Sequence, residues 1–514
     1  MRSLVGPEFV KKPESGGRMR SPHQPHFSRP AVLVLGLITL LFPVHRASAA
    51  GSDPLRKSLV KIFTTMQDPN YADPWRMDAQ EEVSGSGCIL PGHRILTNAH
   101  VVSDQIFIQV TKDGDPQKYT AKRVAVAHDC DLAVLKVDDP RFFLGTRPVT
   151  FGGLPTQKDK ITVYGYPVGG DELSTTEGVV SRVEIIPYSH SLCNLLGLQT
   201  DAAINPGNSV GPVFKRGQFV GVAFQGYSAT AAQATGYLVP VLLVKRFLTE
   251  IQKGAYKPVP VLGLYTETME NAALRTSFGM KARQSGVLVS KVTYGSSAFG
   301  KVQENDVLMS IDGFPIANDG TIPFRPGERL SFPYPLCLHE SGDPLKLRLL
   351  RAGKPMTVTV ALKDDVRLVP LLQYDVKPTY FIFDGLIFTP LNVNFMQLKK
   401  SAQAFLSLYF DGLPSADRKQ VVVMSHILSN EINKGYGAEY ANLVVKKVNG
   451  HAISEMKDLI PAFQDPKDGR HVIEIDDGED GGTKIVLDAA ASAKATQDIL
   501  AQNSIPSDRS DDLK

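Results

Sequence analysis

The sequence predicts a mainly β protein, in which a barrel or sandwich of short strands is followed by smaller repeated units of strand and helix. Two observations carry this. From Val83 to about Val244 the chain runs as short β-type segments punctuated by glycine. Beyond about residue 260, one motif of strand, tight turn and short strand occurs twice.

The strand segments are Ile106–Val110, Arg123–Ala127, Leu132–Val137, Ile161–Tyr166, Gly178–Ile185 and Phe219–Phe224. Their length and regular spacing suit a closed or stacked β architecture. Val241–Lys253 then reads as an amphipathic helix, because Val241, Val244, Phe247, Leu248 and Ile251 recur at helical intervals. The Pro-containing stretch Lys257–Pro260 is a linker to the next unit. The repeated motif runs Asn305 to Ile316 and again Asn442 to Ile453, each copy turning at Asp312-Gly313 or Asn449-Gly450. Such turns need positive φ, which glycine supplies without strain. The tail after Asp488 is rich in Ala, Ser and Asp and is expected to pack loosely.

At 514 residues the chain is too long for one core. A formal charge of +3, with Lys and Arg scattered singly or as isolated pairs, leaves no electrostatic footprint for nucleic acid. Arg18, Arg20 and Arg29 precede an apolar run from Ala31 to Phe42, and Ala47-Ser48-Ala49 then offers a small-x-small cleavage pattern. The run is short of the ~20 residues that span a bilayer, so residues 1–49 read as a cleaved signal or targeting segment. The mature chain, from near Ala50, then carries no integral membrane span. A periplasm fits this export signal; a thylakoid lumen or another organelle is the alternative. Met19 is a second candidate start, and a bipartite organelle-targeting sequence is another account of the first residues. Cys88, Cys130, Cys193 and Cys337 lack paired spacing, which argues against a zinc site; no metal or organic cofactor is expected.

Three segments carry chemistry, in the order His, Asp, Ser. Ile95 to Val102 places His100 after a β-type run; Cys130 to Leu135 places Asp131 at the head of a buried strand; Asn205 to Pro212 places Ser209 on a glycine-flanked loop. A serine hydroxyl needs a base to take its proton, and imidazole titrates near neutrality. A buried carboxylate on the other ring nitrogen fixes the tautomer and stabilises the imidazolium. The oxyanion needs preorganised donors, and the N–H groups of Gly207 and Ser209 can converge if the loop turns sharply at Gly207.

At these residues the sequence resembles the HtrA/Deg family of trypsin-like proteases, and the plant-type Deg subgroup most closely. The resemblance rests on Leu96-Thr97-Asn98-Ala99-His100-Val101-Val102, on Asp131-Leu132-Ala133-Val134-Leu135 and on Thr200 to Ser209. It extends through Asp68–Trp75, Gly165–Gly170, Asp384–Leu391 and Ile505–Ser510. It implies a double β-barrel protease domain over residues 50–256 and a PDZ domain over 258–365. A divergent PDZ-like domain over 376–488 and a C-terminal tail of 489–514 would follow. It also implies an ATP-independent endopeptidase of unfolded or damaged proteins, acting without cofactor and assembled from trimers. PDZ folds add a peptide to a sheet edge and hold its carboxylate on backbone N–H groups. Leu262-Gly263-Leu264 is similar to that carboxylate loop. Gly385-Leu386-Ile387 lacks an obvious equivalent, which leaves assembly as a role for the second unit.

In a trypsin fold Val220–Tyr227 lines the primary pocket. Val222, Ala223 and Gly226 provide no acid to select Lys or Arg, so cleavage after small or medium aliphatic residues is expected. One departure stands out: the family carries two glycines after the nucleophile, whereas here Val210 precedes Gly211. A β-branched residue at positive φ would distort the oxyanion loop. The second hypothesis is therefore a weak or inactive homologue serving as a PDZ-based scaffold or holdase.

Overall fold

The computed structural model describes residues 53–167, 170, 172–204, 211–227, 235–398, 403–476 and 482–514. The first barrel uses β1 (Leu59–Met66), β2 (Glu81–Leu90), β3 (Arg94–Thr97), β4 (Gln105–Lys112), β5 (Tyr119–Ala127) and β6 (Leu132–Val137), closed in the order β1-β2-β3-β6-β5-β4. The second uses β7 (Lys160–Gly165), β8 (Ser174–Pro187), β9 (Asn194–Thr200), β10 (Gly211–Lys215), β11 (Gln218–Tyr227) and β12 (Thr235–Pro240), closed as β10-β11-β12-β9-β8-β7. All six predicted strand segments lie in these barrels. Period-two alternation shows why. On β6, Ala133, Leu135 and Val137 enter the first barrel's core, while Leu132 and Val134 join the apolar layer between barrels.

The predicted helix forms as α1 (Val241–Gln252), burying Val241, Val244, Phe247 and Leu248. Its apolar layer continues without a break into the next unit, through Leu262, Val287 and Leu347. That unit contains β13 (Leu264–Thr268), α2 (Ala272–Ser277), β14 (Val287–Val292), β15 (Val307–Ile311), β16 (Phe314–Pro315), β17 (Thr321–Arg325), β18 (Glu328–Ser331), β19 (Pro344–Arg351) and β20 (Lys354–Ala361). Its main sheet runs β13-β14-β15-β19-β20, with β16 on β15 and β17–β18 as a separate hairpin.

The last unit holds β21 (Phe381–Phe383), β22 (Leu386–Pro390), α3 (Val393–Leu398), α4 (Gln403–Asp411), β23 (Val422–Ile427), β24 (Leu443–Val448), β25 (His451–Ala452), α5 (Leu459–Phe463), β26 (Arg470–Asp476), β27 (Thr483–Asp488) and α6 (Ala489–Gln502). Its sheet runs β21-β22-β23-β24-β26-β27. Apart from β21 this is the order of the preceding unit, and the sequence repeat is the reason. Asp312-Gly313 (φ 49° and 83°) and Asn449-Gly450 (φ 53° and 84°) both make two-residue turns with positive φ. Both then pair a short strand back on the one before, β16 on β15 and β25 on β24.

The loosely packed tail is a correction. Ala489–Gln502 form α6, Asp488 caps it by accepting from Ala490 N–H, and Ile499, Ile505 and Leu513 are buried. Ala-rich composition reads as solvated chain until a partner is supplied; here the partner is the turn between β21 and β22. Asp384 of that turn accepts from Ser492 Oγ at 2.5 Å and Thr496 Oγ1 at 3.0 Å. The β1–β2 connection also reaches the last unit: Tyr71 packs with Leu368 and Phe395, and Trp75 meets Tyr380 edge-on at 5.9 Å.

Candidate active site

His100 follows a β-type run as expected, in a 3-10 turn (Ala99–Val101) just beyond the end of β3. Ala99, Val101 and Val102 are buried, with Val101 and Val102 in the first barrel's core. That anchorage leaves the imidazole as the exposed side of the turn, 32 % accessible. Asp131 heads β6 from a left-handed conformation (φ 54°), and its carboxylate is fully buried.

The two residues meet as the sequence order implied. His100 Nδ1 lies 2.7 Å from Asp131 Oδ2, and the His100 main-chain N–H donates to Oδ1 at 2.9 Å. Asn98 Nδ2 donates to Oδ2 at 3.1 Å. Asn98 was not singled out beforehand, because an Asn ahead of a turn reads as ordinary turn chemistry. Burial by itself would raise the Asp131 carboxyl; the charge and hydrogen bonds of His100, aided by His190, hold it below the usual carboxylate range. Burial would lower His100, and Asp131 outweighs it, so the imidazole titrates above 6.5. A base must be neutral to accept a proton, so kcat/KM is expected to decline as pH falls through a midpoint above 6.5. A pH–rate profile checks this; a midpoint below 6 would contradict it.

Ser209, Gly207 and Val210 lie outside the described residues. The described residues on either side of them are well tied. Asp201 accepts from Val179 N–H at 2.6 Å, and Ile204 is buried in the second barrel. At Gly211 an added Cβ would sit 1.8 Å from the Tyr164 carbonyl oxygen, so this second glycine is required by backbone contact.

The proposed pocket residues all lie on β11. Val222 and Ala223 are buried in different apolar clusters, and Gly226 pairs with Gly236 of β12. In the first PDZ-like unit, Gly263 has φ 70°, and the carbonyls of Leu262 and Gly263 accept from Ala298 and Thr293 N–H. Leu264 opens β13, which ends its sheet and leaves an edge. The corresponding edge of the second unit differs. There β22 is covered by β21, with Phe381, Ile382 and Phe383 facing Phe388, Ile387 and Leu386. Ile382 N–H in turn donates to Asp508 O at 2.6 Å.

The turn carrying Asp131 is also an anchor for the linker that follows α1. Tyr256 Oη donates to Asp129 at 2.8 Å, and Val259 N–H donates to the same carboxylate at 2.8 Å. Burial pushes the Asp129 carboxyl up, against the lowering effect of those hydrogen bonds. The cysteines form no disulfide: Cys88, Cys130 and Cys337 are buried thiols and Cys193 is partly buried. Among the described residues no helix is long and apolar enough to cross a membrane.

Residues 85–222 match the family model of the trypsin-like peptidase domain, and residues 369–512 match that of the PDZ domain. The second match falls on the unit whose sequence had looked the more divergent, and it includes the tail. The chain is 38% identical over 461 residues to protease Do-like 2, chloroplastic, of Arabidopsis thaliana, covering 89% of this chain and 75% of that protein. It is 37% identical over 453 residues to protease Do-like 4, mitochondrial, of the same plant, covering 88% and 84%.

Proposed function

The chain belongs to the HtrA/Deg family of trypsin-like serine proteases, and from that premise we propose that it hydrolyses peptide bonds of unfolded or damaged proteins with Ser209, His100 and Asp131. The observation that carries this is the His100–Asp131 pair, 2.7 Å apart with the carboxylate fully buried. Its Oδ2 sets Nδ1 as the protonated ring nitrogen, which leaves Nε2 free to accept the proton of Ser209 as that hydroxyl attacks a peptide carbonyl. His100 then returns the proton to the leaving amine, and a water repeats the cycle on the acyl-enzyme. Gly207 and Ser209 N–H groups hold the oxyanion. Val222 and Ala223 pack into different clusters and form no common pocket wall, but β11 carries no acid to select Lys or Arg, which favours small or medium aliphatic side chains. The open edge of β13, beside Leu262-Gly263-Leu264, suits the C-terminus of a bound peptide. The occupied edge of the second unit favours a structural part in an assembly, a trimer on the family pattern.

Both relatives carry organelle names, and residues 16–52 contain Arg and Ser but no Asp or Glu. We therefore propose an organelle-targeting segment in place of a periplasmic signal. Reaction of the chain with a fluorophosphonate serine reagent tests the nucleophile. Labelling is expected on the native chain and absent from Ser209→Ala; equal labelling of both would remove the protease reading. Val210→Gly tests the scaffold alternative: a large gain in turnover means that Val210 restrains the oxyanion loop, and no gain means that the loop accepts valine.

A further inference from the structure

The segment that joins the two PDZ-like units packs on His190, the neighbour of His100. Tyr374 stacks on His190 with ring centroids 3.9 Å apart and on His128 at 5.2 Å. Its hydroxyl donates to the His190 carbonyl at 2.7 Å. His190 lies in the β8–β9 turn, is 7 % exposed, and its ring is 6.1 Å from that of His100. Its Nε2 is 3.1 Å from His128 Nδ1, and His128 Nε2 is 2.7 Å from Asp375 Oδ2. Asp375 is gripped in turn: Arg123 Nη1 donates to it at 2.5 Å, and it exchanges N–H to carboxylate bonds with Asp104 at 2.7 and 2.8 Å.

We propose that Tyr374 and Asp375 are positioning residues for the catalytic imidazole, so that docking of the second PDZ-like unit completes the active site. The inference rests on His100 being the base. Its physical content is charge. His100 becomes a cation during the reaction, and a second cation beside it would oppose that step. The charged or titratable groups around His190 are His100, Asp131, His128, Tyr374 and Asp375, with Arg123 and Asp104 behind Asp375. Burial under Tyr374 dominates, and His190 is pushed down to about 3. Asp375 is held down to about 2 by His128 and Arg123, against its own burial. The anion keeps the His128 proton on Nε2. When His128 is neutral, its Nδ1 then accepts from His190 Nε2–H, and one tautomer is set along the row. Stripping Tyr374 away would hydrate His190, return it toward ordinary titration and place a cation next to His100.

The test uses the full chain with Tyr374→Ala, Tyr374→Phe, Tyr374→Leu and Asp375→Asn, each normalised to the sites labelled by the serine reagent. At about pH 5.5, where a hydrated His190 is mostly protonated, Tyr374→Ala and Tyr374→Leu are expected to lower kcat by about tenfold with KM within threefold, the loss shrinking toward about pH 8. Tyr374→Phe is expected to stay within threefold of native. Asp375→Asn, close to isosteric, is expected to lower kcat about fivefold. Tyr374→Leu retains apolar bulk if the alanine variant fails to fold. Histidine ring NMR with pH gives a readout independent of turnover. His190 should stay neutral down to about pH 4 in the native chain and titrate more than one unit higher in Tyr374→Ala or Tyr374→Leu, with His100 moving down. Unchanged titration, or a rise in KM alone, would overturn the proposal. An inactive native chain would remove the protease reading and the catalytic part of the proposal with it; an active native chain with unchanged variants would overturn the proposal alone.

Discussion

Asp131→Asn is expected to lower kcat by about 10⁴ while leaving the barrels folded. The reason is that every group facing this carboxylate is a donor. Oδ1 takes the His100 main-chain N–H, and Oδ2 takes His100 Nδ1 and Asn98 Nδ2. An asparagine has one acceptor to offer, and the main-chain N–H cannot turn away. Its amide NH₂ then faces His100 Nδ1, which must become the acceptor. The ring proton moves to Nε2, the atom that has to take the proton of Ser209. Losing the anion also removes what raises His100, so the acid limb of residual activity should move to lower pH. Steady-state kinetics on an unfolded protein substrate, with a thermal melt alongside, checks both parts. A loss of less than tenfold would mean that Asp131 is not the orienting group.

Truncation after Asp488 is expected to unfold the second PDZ-like unit. Ile499, Ile505 and Leu513 are buried, and their apolar burial is worth roughly 5–9 kcal/mol together. A domain's whole stability is about 5–15 kcal/mol. The cut also strips Ser492 and Thr496 from Asp384, leaving a buried carboxylate without its hydroxyl donors. The main-chain bonds from Ile382 to Asp508 and from Ser510 to Tyr380 go with them. Calorimetry and limited proteolysis should register one fewer cooperative transition and rapid cleavage after about residue 365. A truncated chain with the native transitions would mean that the tail is dispensable. Because Tyr374 and Asp375 lead into this unit, its loss should also depress kcat.

The contrast between these residues explains what could be read in advance. His100 and Asp131 sit in local patterns, a polar residue at the edge of an apolar run, and the alternation along β6 decides which way its neighbours face. The repeat was legible for a similar reason: Asp312-Gly313 and Asn449-Gly450 mark turns whose backbone only a few residue types accept. Composition misled at the tail, because alanine reports helix propensity and says nothing of the surface that awaits it. Asn98 was hidden by its ordinariness. Tyr374 carries no pattern at all.

By itself the sequence determined six of the twelve barrel strands, the repeat that follows them and the order of the catalytic candidates. Each of these follows from spacing over a few residues, where periodicity and turn chemistry act directly. Only the tertiary structure decided that β21 covers the edge of the second unit, that the tail is structural, and that Tyr374 meets His190, 184 residues apart along the chain. Contacts of that separation are set by how whole sheets dock on one another. They come from summed burial over many side chains, and no single stretch of sequence encodes them.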